Sequence, residues 1–283
     1  MNNSMINSSV SMHTLQQKLD LLASNIANVN TTGYKKKEAS FEDVLTNVKQ
    51  QPELFRKDGR LSPLGYNLGW GSKLVNIQAN FAQGPISPTQ NATDLAIQGE
   101  GMFQVQVQTQ DANGNPATET AYTRNGAFNL SPAADGNGVF LATKEGHLLL
   151  GTNGQPLRIP EGFHPQIDGK GIITAYKDGS AGQQTQPVGQ INLVRVVRPQ
   201  LLDEMGDGLY KLQNNPDLVA ANVLEVVTNR DDVQVRQGYL EQSNVNLSDE
   251  MTELVTVQRA FQLNARALTS ADTMMNLANN LRG

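Results

Sequence analysis

The chain has 283 residues and a formal net charge of −5, so it offers no strongly basic surface for nucleic acid or another polyanion. It contains no cysteine, which excludes disulfides, thiolate metal sites and a cysteine nucleophile. No segment approaches the roughly 20 consecutive apolar residues of a membrane span, and no cleavable secretory signal is recognisable. We therefore expect no direct membrane span and, for an exported protein, a route without a cleaved signal peptide.

A heptad pattern predicts an N-terminal helix over residues 4–29. Its apolar stripe consists of Met5, Met12, Leu19 and Ile26, together with Ser8, Leu15, Leu22 and Val29. Alternating spacings of four and three are typical of a coiled-coil seam. Gly33 can supply the left-handed residue that ends such a helix. The basic run that follows, residues 35–37, is interpreted as a solvated face, with a contact to acidic neighbours in an assembly as the alternative.

Residues 34–73 are predicted to be a connector. Residues 41–48 are expected to add one or two helical turns. Beyond them, repeated proline and glycine residues argue against regular structure as far as Lys73.

Residues 74–243 are predicted to form an antiparallel β-rich domain. Phe103, Val105 and Val107 alternate with glutamines, which is the pattern of a half-buried strand. Further strand candidates are residues 121–124, 139–142, 147–150, 172–176 and 190–197. Turn dipeptides such as Asn153-Gly154 and Asp168-Gly169 separate them. A β domain inserted between two helical ends of the chain predicts an α+β fold.

A second heptad pattern predicts a helix from Leu247 to Leu281. Its seam combines Leu247, Leu254, Phe261, Leu268 and Met275 with Val257, Ala271 and Ala278. We expect this seam to pair with the N-terminal one, so that residues 1–33 and 244–283 form a single helical assembly domain. The alternative is an amphipathic helix that lies on the core of its own domain.

Some apolar residues of the C-terminal helix point outside the narrow seam that a single partner covers. They are Ala260, Leu263, Ala267, Met274 and Leu281. More than one neighbouring helix is therefore expected.

The predicted functional surface is an assembly interface on both helices. It comprises Leu15, Leu19, Leu22, Ile26 and Val29 in the first helix and Leu254, Val257, Phe261, Leu268 and Met275 in the second. His13, His147 and His164 have no carboxylate or second histidine at ligand spacing. We therefore predict no metal site. No glycine-rich nucleotide fingerprint and no convergent pair of carboxylates is recognisable either, so we also predict no cofactor and no catalytic residues.

Four stretches carry a family resemblance. Residues 19–36 read LDLLASNIANVNTTGYKK, and residues 238–281 read GYLEQSNVNLSDEMTELVTVQRAFQLNARALTSADTMMNLANNL. Between them lie TDLAIQGEGMFQV at residues 93–105 and YTRNGAF at residues 122–128. These stretches resemble the N-terminal, C-terminal and β-domain motifs of bacterial flagellar axial proteins, the rod and hook family.

This resemblance implies a structural subunit of the bacterial flagellar rod in the basal body, and not an enzyme. Family members leave the cytoplasm through the flagellar type III export apparatus and polymerise helically into a hollow shaft that transmits torque from motor to hook. The implied partners are further copies of the chain, other rod and hook subunits, and the export apparatus. The chain is shorter than typical hook proteins and, within the family, looks most like the distal rod members or their rod-hook relatives.

The residues alone leave two other classes of protein open. A secreted β-domain adhesin or tail-like binding module could use its terminal helices only to oligomerise. Sedimentation separates this class from a rod subunit, because closed trimers are discrete whereas a helical polymer grows open-ended. An enzyme such as a glycan hydrolase would need carboxylates that converge in a cleft, and the sequence does not display them.

Overall fold

The computed structural model describes residues 2–43, 47–48, 67–68, 72–110, 116–133, 136, 138–177, 184–212, 223–227 and 233–280. The chain divides into two compact units. Unit 1 comprises Met1–Ala27, Lys37–Gln78 and Asn246–Gly283, whereas unit 2 comprises Asn28–Lys36 and Ala79–Val245. Two long helices and mostly antiparallel sheets confirm the predicted α+β class.

The segments predicted from the sequence remain predictions: residues 1–33 with 244–283, the connector 34–73, and the β-rich domain 74–243. Most of the connector, namely residues 44–46, 49–66 and 69–71, lies outside the described residues.

Unit 1 contains both long helices, α1 (Asn2–Ala27) and α2 (Leu247–Asn280), which pack against each other. The start of α2 is capped by Asn246, whose side-chain oxygen accepts a hydrogen bond of 3.1 Å from the backbone N–H of Ser248. Two acidic residues follow in the first turn, where negative charge complements the positive end of the helix dipole.

Two small two-stranded ladders complete unit 1. In one of them β1 (Lys37–Asp43) pairs with β4 (Ser72–Ala79), and in the other β2 (Asn47–Val48) pairs with β3 (Asn67–Leu68). The helical turns predicted over residues 41–48 are therefore wrong, because the described part of this segment is strand. A helix of two turns does not offset its own nucleation cost, whereas a partner strand can hydrogen-bond the backbone of β1.

Unit 2 holds the remaining strands. They are β5 (Ile86–Pro88), β6 (Leu95–Gln98), β7 (Met102–Gln110), β8 (Pro116–Thr123), β9 (Asn129–Pro132), β10 (Val139–Ala142), β11 (Leu148–Leu149), β12 (Arg158–Ile159), β13 (His164–Ile167), β14 (Ile172–Lys177), β15 (Gln184–Gln190), β16 (Leu193–Val196), β17 (Leu202–Gly206), β18 (Leu209–Leu212), β19 (Leu224–Val226), β20 (Gln234–Gln237) and β21 (Tyr239–Glu241).

The largest sheet of unit 2 runs in the order β12-β10-β11-β7-β8-β18-β17, with β9 paired to β10 and β16 bridging β7 and β19. A separate sheet has the order β13-β14-β15, and two ladders pair β20 with β6 and β21 with β5. The alternation predicted from Phe103, Val105 and Val107 is confirmed, because all three side chains of β7 are buried. The Asp168-Gly169 turn joins β13 to β14 as predicted.

The core of unit 2 forms around the inward side chains of β7. Phe103 and Phe128 are both fully buried and meet edge to face, with ring centroids 5.4 Å apart. The chain approaches itself closely here, since a Cβ added at Gly126 would lie 1.6 Å from the carbonyl oxygen of Leu95. That oxygen belongs to backbone that cannot give way, so this position requires glycine.

We predict that Gly126→Ala lowers the free energy of unfolding of unit 2 by more than about 2 kcal/mol, because the new methyl group collides with backbone. Thermal and urea unfolding of the full chain measure the loss. Gly169→Ala is the matched control, since nothing lies within 4 Å of the Cβ built there. Equal stabilities of the two variants would contradict the prediction.

Candidate functional site

The predicted interface residues of the first helix take three different positions. Leu22 is buried in α1, whereas Leu15, Leu19 and Ile26 are half-buried. Val29 lies beyond the end of α1, in the segment that belongs to unit 2. In α2, Val257 is buried, and the half-buried members are Leu254, Phe261, Leu268 and Met275. All ten residues are thus partly or fully covered within the single chain.

Sequence reasoning missed several residues that are buried on these helices. They are Thr14, Leu21 and Asn25 on α1 and Glu250 on α2. The signal for Glu250 was available, because it precedes the buried Val257 by one heptad. Its charge argued against a seam position, and only a polar partner on α1 makes that position acceptable.

Polar contacts define the direction of the helix pair. The Lys18 ammonium lies 2.5 Å from the Glu253 carboxylate, and the Asn25 amide donates to the Glu250 carboxylate at 3.1 Å. Because a later residue of α1 meets an earlier residue of α2, the two helices run antiparallel. The Lys18 ion pair is solvent-exposed, so it contributes at most about 1 kcal/mol.

Asn25 joins three elements of unit 1. Its Nδ2 donates to the carbonyl oxygen of Lys37 at 3.0 Å, and its Oδ1 accepts from the N–H of Lys37 at 3.0 Å. The side chain therefore hydrogen-bonds the first residue of β1 as a neighbouring strand would. The same Nδ2 also reaches Glu250 on α2. With no exposed surface, Asn25 holds α1, β1 and α2 together through fully desolvated hydrogen bonds.

Unit 2 contains a buried cluster of three charges from distant parts of the chain. The Lys35 Nζ donates to the Glu241 Oε1 at 2.7 Å, and the Arg124 Nε lies 3.1 Å from the Glu241 Oε2. None of the three residues is more than 3% exposed. The interpretation of Lys35 as part of a solvated face is wrong, and its acidic partner belongs to the same chain. We call Lys35, Arg124, Glu241 and the segments 33–36, 80–85 and 239–244 around them the clasp.

Backbone groups complete the coordination of the clasp charges. Lys35 also donates to the Ala82 carbonyl at 2.7 Å, and the Gly84 N–H donates to Glu241 at 2.9 Å. The two terminal nitrogens of the Arg124 guanidinium donate to the carbonyls of Gly101 at 2.7 Å and Gly99 at 2.9 Å. These bonds replace water around the ions, which is what makes their burial tolerable.

The cluster carries two cations and one anion, so its electrostatics are unbalanced. Burial, followed by repulsion from Arg124, lowers the pKa of the Lys35 ammonium below its ordinary value, and Glu241 opposes that change. Burial also lowers the pKa of Arg124, against the attraction of Glu241 and, more weakly, of Glu100. Glu241 is therefore the group that permits both cations to remain charged inside unit 2.

The backbone of the clasp depends on two close approaches. Gly33 adopts φ +68° and donates its N–H to the Glu241 carbonyl at 2.8 Å. A Cβ at Gly33 would lie 2.5 Å from the backbone nitrogen of Asn125, and one at Gly84 would lie 2.2 Å from the carbonyl oxygen of Gln242. The prediction that Gly33 takes a left-handed conformation after α1 is confirmed.

Asn244 ties the remaining segments of the clasp. Its Oδ1 accepts from the Lys36 N–H at 2.7 Å, and its Nδ2 donates to the carbonyls of Asn80 and Ala82 at 2.8 and 3.0 Å. One side chain therefore connects the segment after α1, the segment before β5 and the segment before α2.

One face of α2 stays uncovered in the single chain. Leu263, Met274 and Leu277 are 64%, 52% and 63% exposed. With Ala260, Ala267 and Ser270 they recur at alternating spacings of three and four, which is a second heptad stripe. It lies about 120° around the helix from the stripe that faces α1. Leu281, predicted to belong to this face, lies outside the described residues. We call these six residues the outer stripe.

Among the described residues, no helix has the length and apolarity needed to cross a membrane. The same part of the chain shows no group of three or more histidine or acidic side chains that could hold a metal ion.

We predict that Asn25→Ala lowers the free energy of unfolding by about 1 to 3 kcal/mol, because it leaves the Lys37 backbone groups and Glu250 with fewer hydrogen bonds. Amide exchange at Lys37 should accelerate selectively, since its N–H bonds directly to the lost oxygen. Gln16→Ala, at an exposed position of the same helix, is the control. Indistinguishable exchange at Lys37 in the two variants would contradict the assignment.

Three family models match the chain. The model described as "Flagella basal body rod protein" matches residues 8–35, and "Flagellar hook protein FlgE/F/G D1 domain" matches residues 96–175. "Flagellar basal body rod FlgEFG protein C-terminal" matches residues 236–281. These ranges contain, in the same order, Lys35, Arg124 and Glu241 of the clasp.

Relatives match over nearly the whole chain. Flagellar basal-body rod protein FlgG of Buchnera aphidicola subsp. Baizongia pistaciae is 33% identical over 267 residues, which cover 92% of each chain. Flagellar hook-basal body complex protein FlhP of Bacillus subtilis is 34% identical over 284 residues, or 99% of each chain. FlgG of Agrobacterium fabrum is 34% identical over 268 residues, or 94% of each chain. The chain therefore belongs to the flagellar basal-body rod protein family and is a structural rod subunit, not an enzyme.

Proposed function

We propose that this rod subunit polymerises helically through α2, with the outer stripe seated against a helix of a neighbouring copy. The observation that supports this is the second heptad stripe, whose leucines and methionine are exposed, whereas most of the first stripe is half-buried or buried on the helix that packs against α1. A fully buried leucine or methionine contributes about 1.5 to 3 kcal/mol. Three such side chains exposed on one face therefore favour a partner strongly.

The pairing of α1 with α2 is proposed to be coiled-coil-like. Its supports are the heptad spacing of both stripes and the buried positions of Leu22 and Val257. Polar residues such as Asn25 and Glu250 interrupt the seam and fix which residues lie opposite each other, which is an attested role of buried polar groups in helix pairs. The predicted assembly interface then has two parts: the seam within the subunit and the outer stripe between subunits.

An open-ended polymer requires the outer stripe of one copy to meet a different surface of the next copy. A contact in which different patches of two copies meet is heterologous, and such contacts grow as rings or helical filaments rather than twofold dimers. A hollow shaft built in this way would transmit torque from motor to hook. The relatives do not support the adhesin or tail-like alternative, because those reported are named as flagellar rod or hook-basal body proteins.

The partners and route follow from family membership. Rod proteins assemble with other rod and hook subunits in the flagellar basal body. We propose that this chain reaches that site through the flagellar type III export apparatus and without a cleaved signal peptide. A reporter fusion that is secreted only when the export apparatus is intact, and that keeps its N-terminal residues, tests both points.

We predict that Leu263→Asp blocks polymerisation of the purified full chain while leaving its helix content and melting temperature unchanged, because this side chain is exposed in the single subunit. Sedimentation and electron microscopy measure assembly, and circular dichroism measures the fold. Gln262→Asp is the matched control, since it adds the same charge at the adjacent exposed position. Normal filaments from Leu263→Asp would refute the outer stripe as an interface.

A second variant separates the two stripes. Phe261 is half-buried on the side of α2 that faces α1. We predict that Phe261→Asp abolishes assembly and also reduces helix content, because a carboxylate in the seam disrupts the helix pair. The thermal transition of the β-rich unit should stay unchanged. A variant that lost assembly but kept full helix content would place Phe261 in the interface between subunits instead.

A further inference from the structure

Residues 239–244, which precede α2 and are called the C-terminal segment of unit 2, supply the carboxylate of the clasp. Earlier parts of unit 2 supply its partners. Lys35 and the Gly84 N–H both bind the Glu241 Oε1, and Arg124 faces the Oε2. Lys35 follows α1 in the chain, and Glu241 precedes α2 by a few residues. The separation between the two paired residues is 206 positions.

Removing the carboxylate would do more than delete two ion pairs. Lys35 and Arg124 would remain in one buried site and repel each other, and only the more distant attraction of Glu100 would act on Arg124. Breaking a buried pair by removing a single partner costs far more than the pair contributes, because an uncompensated charge is left in low dielectric.

Backbone hydrogen bonds also join residues 239–244 to the other two clasp segments. The Gly33 N–H bonds to the Glu241 carbonyl, and the Gln242 N–H bonds to the Pro85 carbonyl, each at 2.8 Å. Strand β21, which ends at Glu241, pairs with β5. Two bonds join segments 33–36 and 80–85 without residues 239–244, from the Lys35 Nζ to the Ala82 carbonyl at 2.7 Å and from the Asn80 N–H to the Lys36 carbonyl at 2.8 Å. The bonds that involve Glu241, Gln242 and Asn244 form only when the segment 239–244 is in place.

We propose that Glu241 makes closure of unit 2 depend on the first and last segments of that unit. The segments 33–36, 80–85 and 239–244 then close together or not at all. This inference goes beyond polymerisation and does not depend on the outer stripe. Until residues 239–244 arrive, unpaired Lys35 and Arg124 keep the clasp open and hydrated. The β-rich unit then reaches its final form only in a chain that possesses its C-terminal segment.

The test uses amide exchange on the full chain with Glu241→Gln, which preserves shape and removes charge. Exchange should accelerate by about a hundredfold or more throughout the three clasp segments, as expected for loss of a buried counter-ion. The core pair β7 and β8 should keep its protection. Glu161→Gln, at an exposed position of the same unit, should change nothing.

A double variant separates a counter-ion from an ordinary hydrogen-bonding residue. Lys35→Met removes one of the two cations and retains the length of the side chain, so Glu241→Gln should be less damaging in the Lys35→Met background than alone. If Glu241→Gln does not fold, recovery of a folded protein in the double variant supports the same conclusion. Failure of the double variant to recover would overturn it.

The pattern of exchange gives the other decisive result. Acceleration confined to residues 239–244, with residues 33–36 and 80–85 still protected, would show that the segments close independently and would refute the proposal. So would acceleration spread evenly over β7 and β8. Polymerisation plays no part in these readouts, so their failure is distinguishable from failure of the assembly interface.

Discussion

A single buried carboxylate is the constraint on which the architecture of unit 2 depends. Glu241 neutralises Lys35 and faces Arg124 in a site from which water is excluded. Two cations could not share that site without it, because desolvation and mutual repulsion both disfavour their charged forms. The segment after α1 and the segment before α2 therefore lie side by side on one β-rich framework. The glycines at positions 33 and 84 allow the backbones to approach closely enough for this to occur.

Unit 1 follows a different physical logic. The contact between α1 and α2 relies mainly on apolar stripes, which tolerate exchange of one aliphatic residue for another. Specificity comes from a few polar groups, above all Asn25, which binds the backbone of β1 and the carboxylate of Glu250 together. An apolar stripe alone does not fix the register of one helix against the other. A buried amide with defined partners removes that freedom.

The sequence predicted those parts of the structure that local periodicity controls. The alternation around Phe103 predicted β7 correctly, and the heptads predicted both helices to within a few residues at each end. The segment 41–48 was misassigned because its strand conformation depends on pairing with β4, some thirty residues away. Such pairing leaves no local trace in a segment this short.

The charged residues of the clasp illustrate the same limit more sharply. A run of lysines after a helix is most often solvated, and nothing within fifty positions of Lys35 indicates a buried anion. Its partner is 206 residues away and its repelling neighbour 89 residues away. The three family models each contain one member of this cluster. Motifs that look like three separate signatures along the chain therefore meet in one electrostatic unit. A change to any one of them alters the burial cost of the other two.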